Sequence, residues 1–85
     1  MLQIAQTRFE NTKGIMTVRV YDVNGKFWTI IDAHEIRGQR NVFGKVELIT
    51  APMLHKGMNA NKQFFAESVQ DAMEKAETHF NEVFG

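Results

Sequence analysis

The last quarter of the chain carries the plainest pattern of apolar and polar positions. Val69, Ala72, Met73, Ala76, Phe80, Val83 and Phe84 recur at gaps of three, one, three, four, three and one. That spacing is one face of a helix with about 3.6 residues per turn. Gln70, Asp71, Glu74, Lys75, Glu77, Thr78, Asn81 and Glu82 fill the other faces. Ser68 stands where an N-cap belongs, Asp71 follows three residues on, and Gly85 stands where a terminator is expected. The pattern predicts a helix over Ser68–Phe84, and the small Ala72 and Ala76 suit close approach to a β-sheet.

Upstream, the period changes from helical to alternating. Ile15–Asp22 places Met16, Val18 and Val20 on one side and Thr17, Arg19 and Tyr21 on the other. Asn24-Gly25 is a strong hairpin signal, because both residues accept positive φ. Lys26–Ala33 is then the returning strand, with Phe27, Thr29 and Ile31 against Trp28, Ile30 and Asp32; both sides are partly apolar, so its register stays open. Lys45–Ala51 alternates Val46, Leu48 and Thr50 with Glu47 and Ile49, and Pro52 ends its pairing. Leu2–Glu10 reads as a short edge strand rather than a helical turn, followed by a turn at Asn11–Gly14.

His34–Phe43 is polar and broken by Gly38, and reads as an irregular loop; Pro52–Asn61 reads as a second loop whose Met53, Leu54 and Met58 pack locally. At Lys62–Ala66 two readings compete. The helix could begin near Asn59 or Asn61, since Phe65 also falls on its stripe. A strand is preferred, because adjacent Phe64 and Phe65 suit a strand buried on both sides and Ser68 is a poor mid-helix residue. Strands first and a helix last, with hairpin-length links, predict one α+β domain over residues 1–85: an antiparallel sheet of four or five strands with one C-terminal amphipathic helix on one face. The uncovered face then meets water, another subunit or a ligand.

Composition narrows the function more by exclusion than by indication. Eighty-five residues bury a small core, and dimerisation is a natural way to bury more. There is no cysteine, hence no disulfide framework and no thiolate chemistry. No secretory signal and no apolar run of membrane-spanning length is visible, so a cytoplasmic protein without a membrane partner is expected. Ten basic and ten acidic residues balance, but unevenly: residues 1–57 carry eight basic and five acidic residues, and 58–85 carry two and five. The helix is the acidic side and the sheet is mildly basic.

No catalytic constellation emerges. His34, Glu35, His55 and His79 are the only metal-ligand types worth weighing, and the histidines stand 21 and 24 residues apart with no short ligand spacing. Asp32 near His34 and Glu35 is the one polar cluster, and a strand end meeting solvent explains it equally well. GQRNVFG is not a phosphate-binding loop. The expectation is a non-enzyme with no cofactor and no metal.

Binding has better material. Arg19, Tyr21, Trp28, Arg37, Arg40, Phe43 and Lys45 mix cations with aromatics, and Ile36–Val46 holds three basic residues and no acidic one. Aromatics on an open sheet stack unpaired bases while cations hold phosphates. Against that stands the simpler reading of Trp28 as core and the charges as a solvated face. The leading expectation is a protein-binding or self-associating module, most economically a homodimer; the alternative is a nucleic-acid-binding domain using the aromatic and basic sheet face with the 36–46 loop.

Overall fold

A computed structural model describes every residue from Met1 to Gly85. Along the chain run β1 (Leu2–Glu10), β2 (Gly14–Val23), β3 (Lys26–Val42), β4 (Lys45–Pro52), β5 (Leu54–His55), β6 (Met58–Asn59), β7 (Lys62–Ala66) and α1 (Val69–Phe84). The main sheet has five strands, ordered β1-β2-β3-β4 with β7 also on β3, and every pairing is antiparallel. One helix crosses one face, so the fold is α+β. No helix is long and apolar enough to cross a membrane.

The register left open at Lys26–Ala33 is settled by what the helix covers. Val18 pairs with Ile31 and Met16 with Ala33, and all four side chains are fully buried beneath α1. Ala72, Ala76, Phe80 and Phe84 are the buried residues of the helix. The two alanines leave room for the sheet to come close, and the phenylalanines fill its end together with Phe9. Trp28, Ile30 and Asp32 therefore lie on the uncovered face.

Ser68 caps the helix as its spacing predicts. Its Oγ accepts from the Asp71 N–H at 2.9 Å. The Asp71 carboxylate in turn accepts from the Glu67 N–H at 3.1 Å and pairs with Lys75 at 3.1 Å. The Glu67 N–H first, and then Lys75, hold the Asp71 carboxyl below the usual aspartate value. Ser68→Ala is expected to cost roughly 0.5–2 kcal/mol in chemical denaturation; an unchanged midpoint would show that the cap bond contributes nothing.

Three readings need correction. His34–Phe43 is not an irregular loop but the second half of β3, which continues to Val42. Gly38 interrupts the register and not the strand: Arg37 is the extra residue of a bulge between Ile36 and Gly38. Pro52–Asn61 is not a plain loop either, since β5 and β6 form a small hairpin in it. Met53 packs on the core there, while Leu54 and Met58 are exposed rather than packed. Third, β7 is not buried on both sides, because Phe65 is exposed on the open face.

The two missed hairpins share a cause. Asn24-Gly25, Phe43-Gly44 and Lys56-Gly57 all have positive φ at both positions. Asn-Gly announces such a turn; Phe-Gly and Lys-Gly do not, because among residues with a β-carbon the short polar Asn tolerates that region and bulky or long side chains resist it.

Candidate functional site

The long β3 decides the shape of the molecule. Its pairing with β2 ends at Glu35 opposite Gly14, and a last bond runs from the Ile36 N–H to the Lys13 carbonyl at 2.9 Å. From Arg37 to Ile49 the only partner of β3 is β4. The two strands project from the body as a ribbon with both outer edges unpaired. The longest dimension is 45 Å and the radius of gyration 14.3 Å, against about 12 Å for a compact domain of this length.

The ribbon sets large exposed apolar side chains among its charged and amide residues. Phe43 at its tip is fully exposed, and Val46, Leu48 and Ile49 are each more than two-fifths exposed. Phe43 also holds φ at 51°, a region that costs a bulky residue about 1–2 kcal/mol. A ring wholly in water on a backbone held in this region adds nothing to the stability of the free molecule. Two strands without a core of their own are marginal in water.

The uncovered face of the body holds a second feature. Tyr21, Trp28 and Phe65 lie directly opposite one another on β2, β3 and β7, forming an aromatic row across three strands. The Tyr21 and Trp28 rings are 5.8 Å apart, and the Lys26 ammonium lies 6.0 Å from the Phe65 ring centre. Arg19 donates to the Tyr21 hydroxyl at 3.3 Å and pairs with Asp32 at 3.2 Å.

The residues singled out by sequence thus divide into two groups. Arg19, Tyr21 and Trp28 come together on the uncovered face. Arg37, Arg40, Phe43 and Lys45 lie on the ribbon, and the 36–46 segment is a strand pair and not a loop. Because the bulge at Arg37 inverts the alternation, Arg40 and Lys45 share the helix-side face with Glu47 and Ile49, whereas Val46 and Leu48 continue the open face. Arg37 pairs with Glu35 at 2.7 Å and Arg40 with Glu47 at 3.1 Å. Sequence reasoning missed Phe65, Val46, Leu48 and Ile49. Their apolar character was visible; that nothing in the chain covers them was not.

His34, His55 and His79 are not gathered. No group of three or more His, Asp or Glu side chains is placed to hold a metal ion. His79 is half-buried, with Nε2 2.7 Å from the Ala60 carbonyl, which ties α1 to the segment before β7. Comparison with protein-family models, with curated proteins and with solved structures finds no match to this chain.

Proposed function

We propose that this protein is a small, non-catalytic, cytoplasmic module that works by binding protein, its own copies first. The observation that carries this reading is the projecting β3–β4 ribbon, with unpaired edges and exposed Phe43, Val46, Leu48 and Ile49. Free strand edges recruit other strands through their backbone groups, and the exposed side chains give such pairing its affinity. The accessible surface is 5820 Å², against about 5200 Å² for a compact protein of this mass. That excess is comparable with the ~800 Å² each partner buries in a standard interface.

Sedimentation equilibrium tests it. The wild-type chain is expected to sediment with at least twice the mass of one chain. Leu48→Asp is expected to sediment as a monomer with an unchanged circular dichroism spectrum, because Leu48 lies outside the core. A monomeric wild type at every concentration would remove self-association.

A second reading rests on the aromatic row. Tyr21, Trp28 and Phe65 with Arg19 and Lys26 nearby offer stacking surfaces and cations for unpaired bases. The ion pairs at Arg19, Arg37 and Arg40 favour the first reading, since cations already neutralised gain less from phosphate. Titrating single-stranded oligonucleotide at low salt separates the two: salt-sensitive quenching of Trp28 would reverse the order, and its absence would leave the protein-binding reading alone.

A further inference from the structure

β4 and β7 lie end to end along one edge of β3. β7 pairs with Phe27–Ile31 and β4 with His34–Val42, and both run antiparallel to β3. Between them, the Ala33 N–H donates to Asn61 Oδ1 at 2.8 Å and the Ala33 carbonyl accepts from the Met53 N–H at 3.1 Å. The outer side of this composite edge is unpaired along both strands. At β7 it opens into a depression of about 470 Å³, lined by Phe64 and Phe65 from opposite faces of the strand and by Asp71 and Lys75 of α1.

We infer that a second copy of the chain occupies this edge, with β4 of each copy paired to β7 of the other about a two-fold axis perpendicular to the sheet. The inference rests on the self-association proposed above and specifies its interface. Three features support it. First, direction: β4 and β7 are parallel to each other, so a two-fold rotation presents each to the other antiparallel, the stronger pairing. A two-fold contact closes, and both contacts form at once.

Second, the side chains match. The axis requires open-face residues to oppose open-face residues. Setting Phe65 opposite Leu48 of the second copy meets that condition, because the bulge at Arg37 has placed Leu48 on the open face. The same register sets Phe64 opposite Ile49 and Gln63 opposite Thr50. Phe65, Leu48 and Ile49, each at least 42% exposed in the single chain, thereby acquire apolar cross-strand partners. A slip of two residues one way keeps an apolar partner for Phe65, Val46, but puts Phe64 opposite Glu47 and Leu48 opposite Gln63; a slip the other way puts Phe65 opposite Thr50. Both lose these pairs.

Third, the charges agree. In this register Glu47 opposes Ala66, the last residue of β7, and Lys45 lies beyond it, toward the bend at Glu67 and Ser68 that leads into the acidic start of α1. The basic end of one chain meets the acidic end of the next. The β5–β6 hairpin between β4 and β7 is rooted on the helix side, where Met53 and Ala60 pack on the core. The aromatic row of each copy then runs on into Leu48 of the other.

The chain has no cysteine, so disulfide trapping reads the register directly. Opposed residues of antiparallel strands have Cα atoms about 4.5–5.5 Å apart, within disulfide range. Leu48→Cys and Phe65→Cys are made separately, refolded together and oxidised mildly. The expected result is a disulfide-linked dimer from the mixture and none from either variant alone. Gln63→Cys with Thr50→Cys repeats the test with smaller side-chain changes and guards against loss of assembly in the first pair. A dimeric mass without the mixed disulfide in either pair, or cross-linking of a single variant with itself, overturns this interface and leaves self-association standing. A monomeric wild type overturns both.

Discussion

Phe80→Ala is expected to destabilise the protein by roughly 3–5 kcal/mol. Phe80 is 8% exposed, and its ring centre lies 5.7 Å from that of Phe9 and 5.4 Å from that of Phe84. It joins the edge strand β1 to the end of α1. A domain of this size is stable by only about 5–10 kcal/mol, so the variant loses roughly a third of its stability or more. Guanidinium denaturation followed by the circular dichroism of α1 checks it. A loss below about 1 kcal/mol would show that α1 does not pack on the sheet through this residue.

Gly14→Ala is expected to cost about 2–4 kcal/mol, between ordinary overpacking and loss of a buried phenylalanine. A β-carbon on Gly14 would overlap Cε1, Cζ and Cδ1 of the Phe84 ring. Phe84 is 2% exposed and cannot withdraw cheaply. Asn11 holds the two segments in place: its Oδ1 accepts from the Gly14 N–H at 3.1 Å and its Nδ2 donates to the Phe84 carbonyl at 3.2 Å. The double variant Gly14→Ala with Phe84→Ala supplies the check. If steric overlap is the cause, the second methyl costs almost nothing once the ring is gone, and the two losses do not add. Additive losses would place the effect in the Gly14 backbone instead.

The Gly14 contact was not visible in sequence, where the residue read only as the end of a turn. What made it necessary is a residue 70 positions away in the chain. The same holds for Phe65. Its neighbour Phe64 packs toward α1, and adjacent residues of a strand face opposite ways, so one of the pair had to face away from the helix. Which one, and that nothing lay over it, depended on how β7 met β3. Ser68, Asp71 and Val69–Phe84 show the opposite case. Capping and helical periodicity act within a few residues, so reading them needed no knowledge of distant segments.

His34–Phe43 lies between these cases. Its polarity is genuine, and polarity broken by Gly38 is in sequence the mark of an irregular loop. Here the segment is a strand because β4 returns along it, through a turn at Phe43-Gly44 that carries no usual signature. The candidate site divided for the same reason. Arg19 and Tyr21 were legible as neighbours on one side of β2; that Trp28 joins them on the uncovered face depended on which face of β3 the helix covers. Arg40 and Lys45 were moved to the opposite face by a one-residue bulge.

The sequence by itself determined the α+β class, the helix and its cap and the two faces of β2, and it favoured the strand at Lys62–Ala66, all through contacts local in the chain or through alternation; which face of β3 the helix covers was left to the packing. Only the tertiary structure decided that β3 outruns β2, that β4 and β7 share one edge, and that Val46, Leu48, Ile49 and Phe65 are uncovered. Those facts depend on strand lengths and pairings between distant segments, and no local pattern records where a strand loses its neighbour.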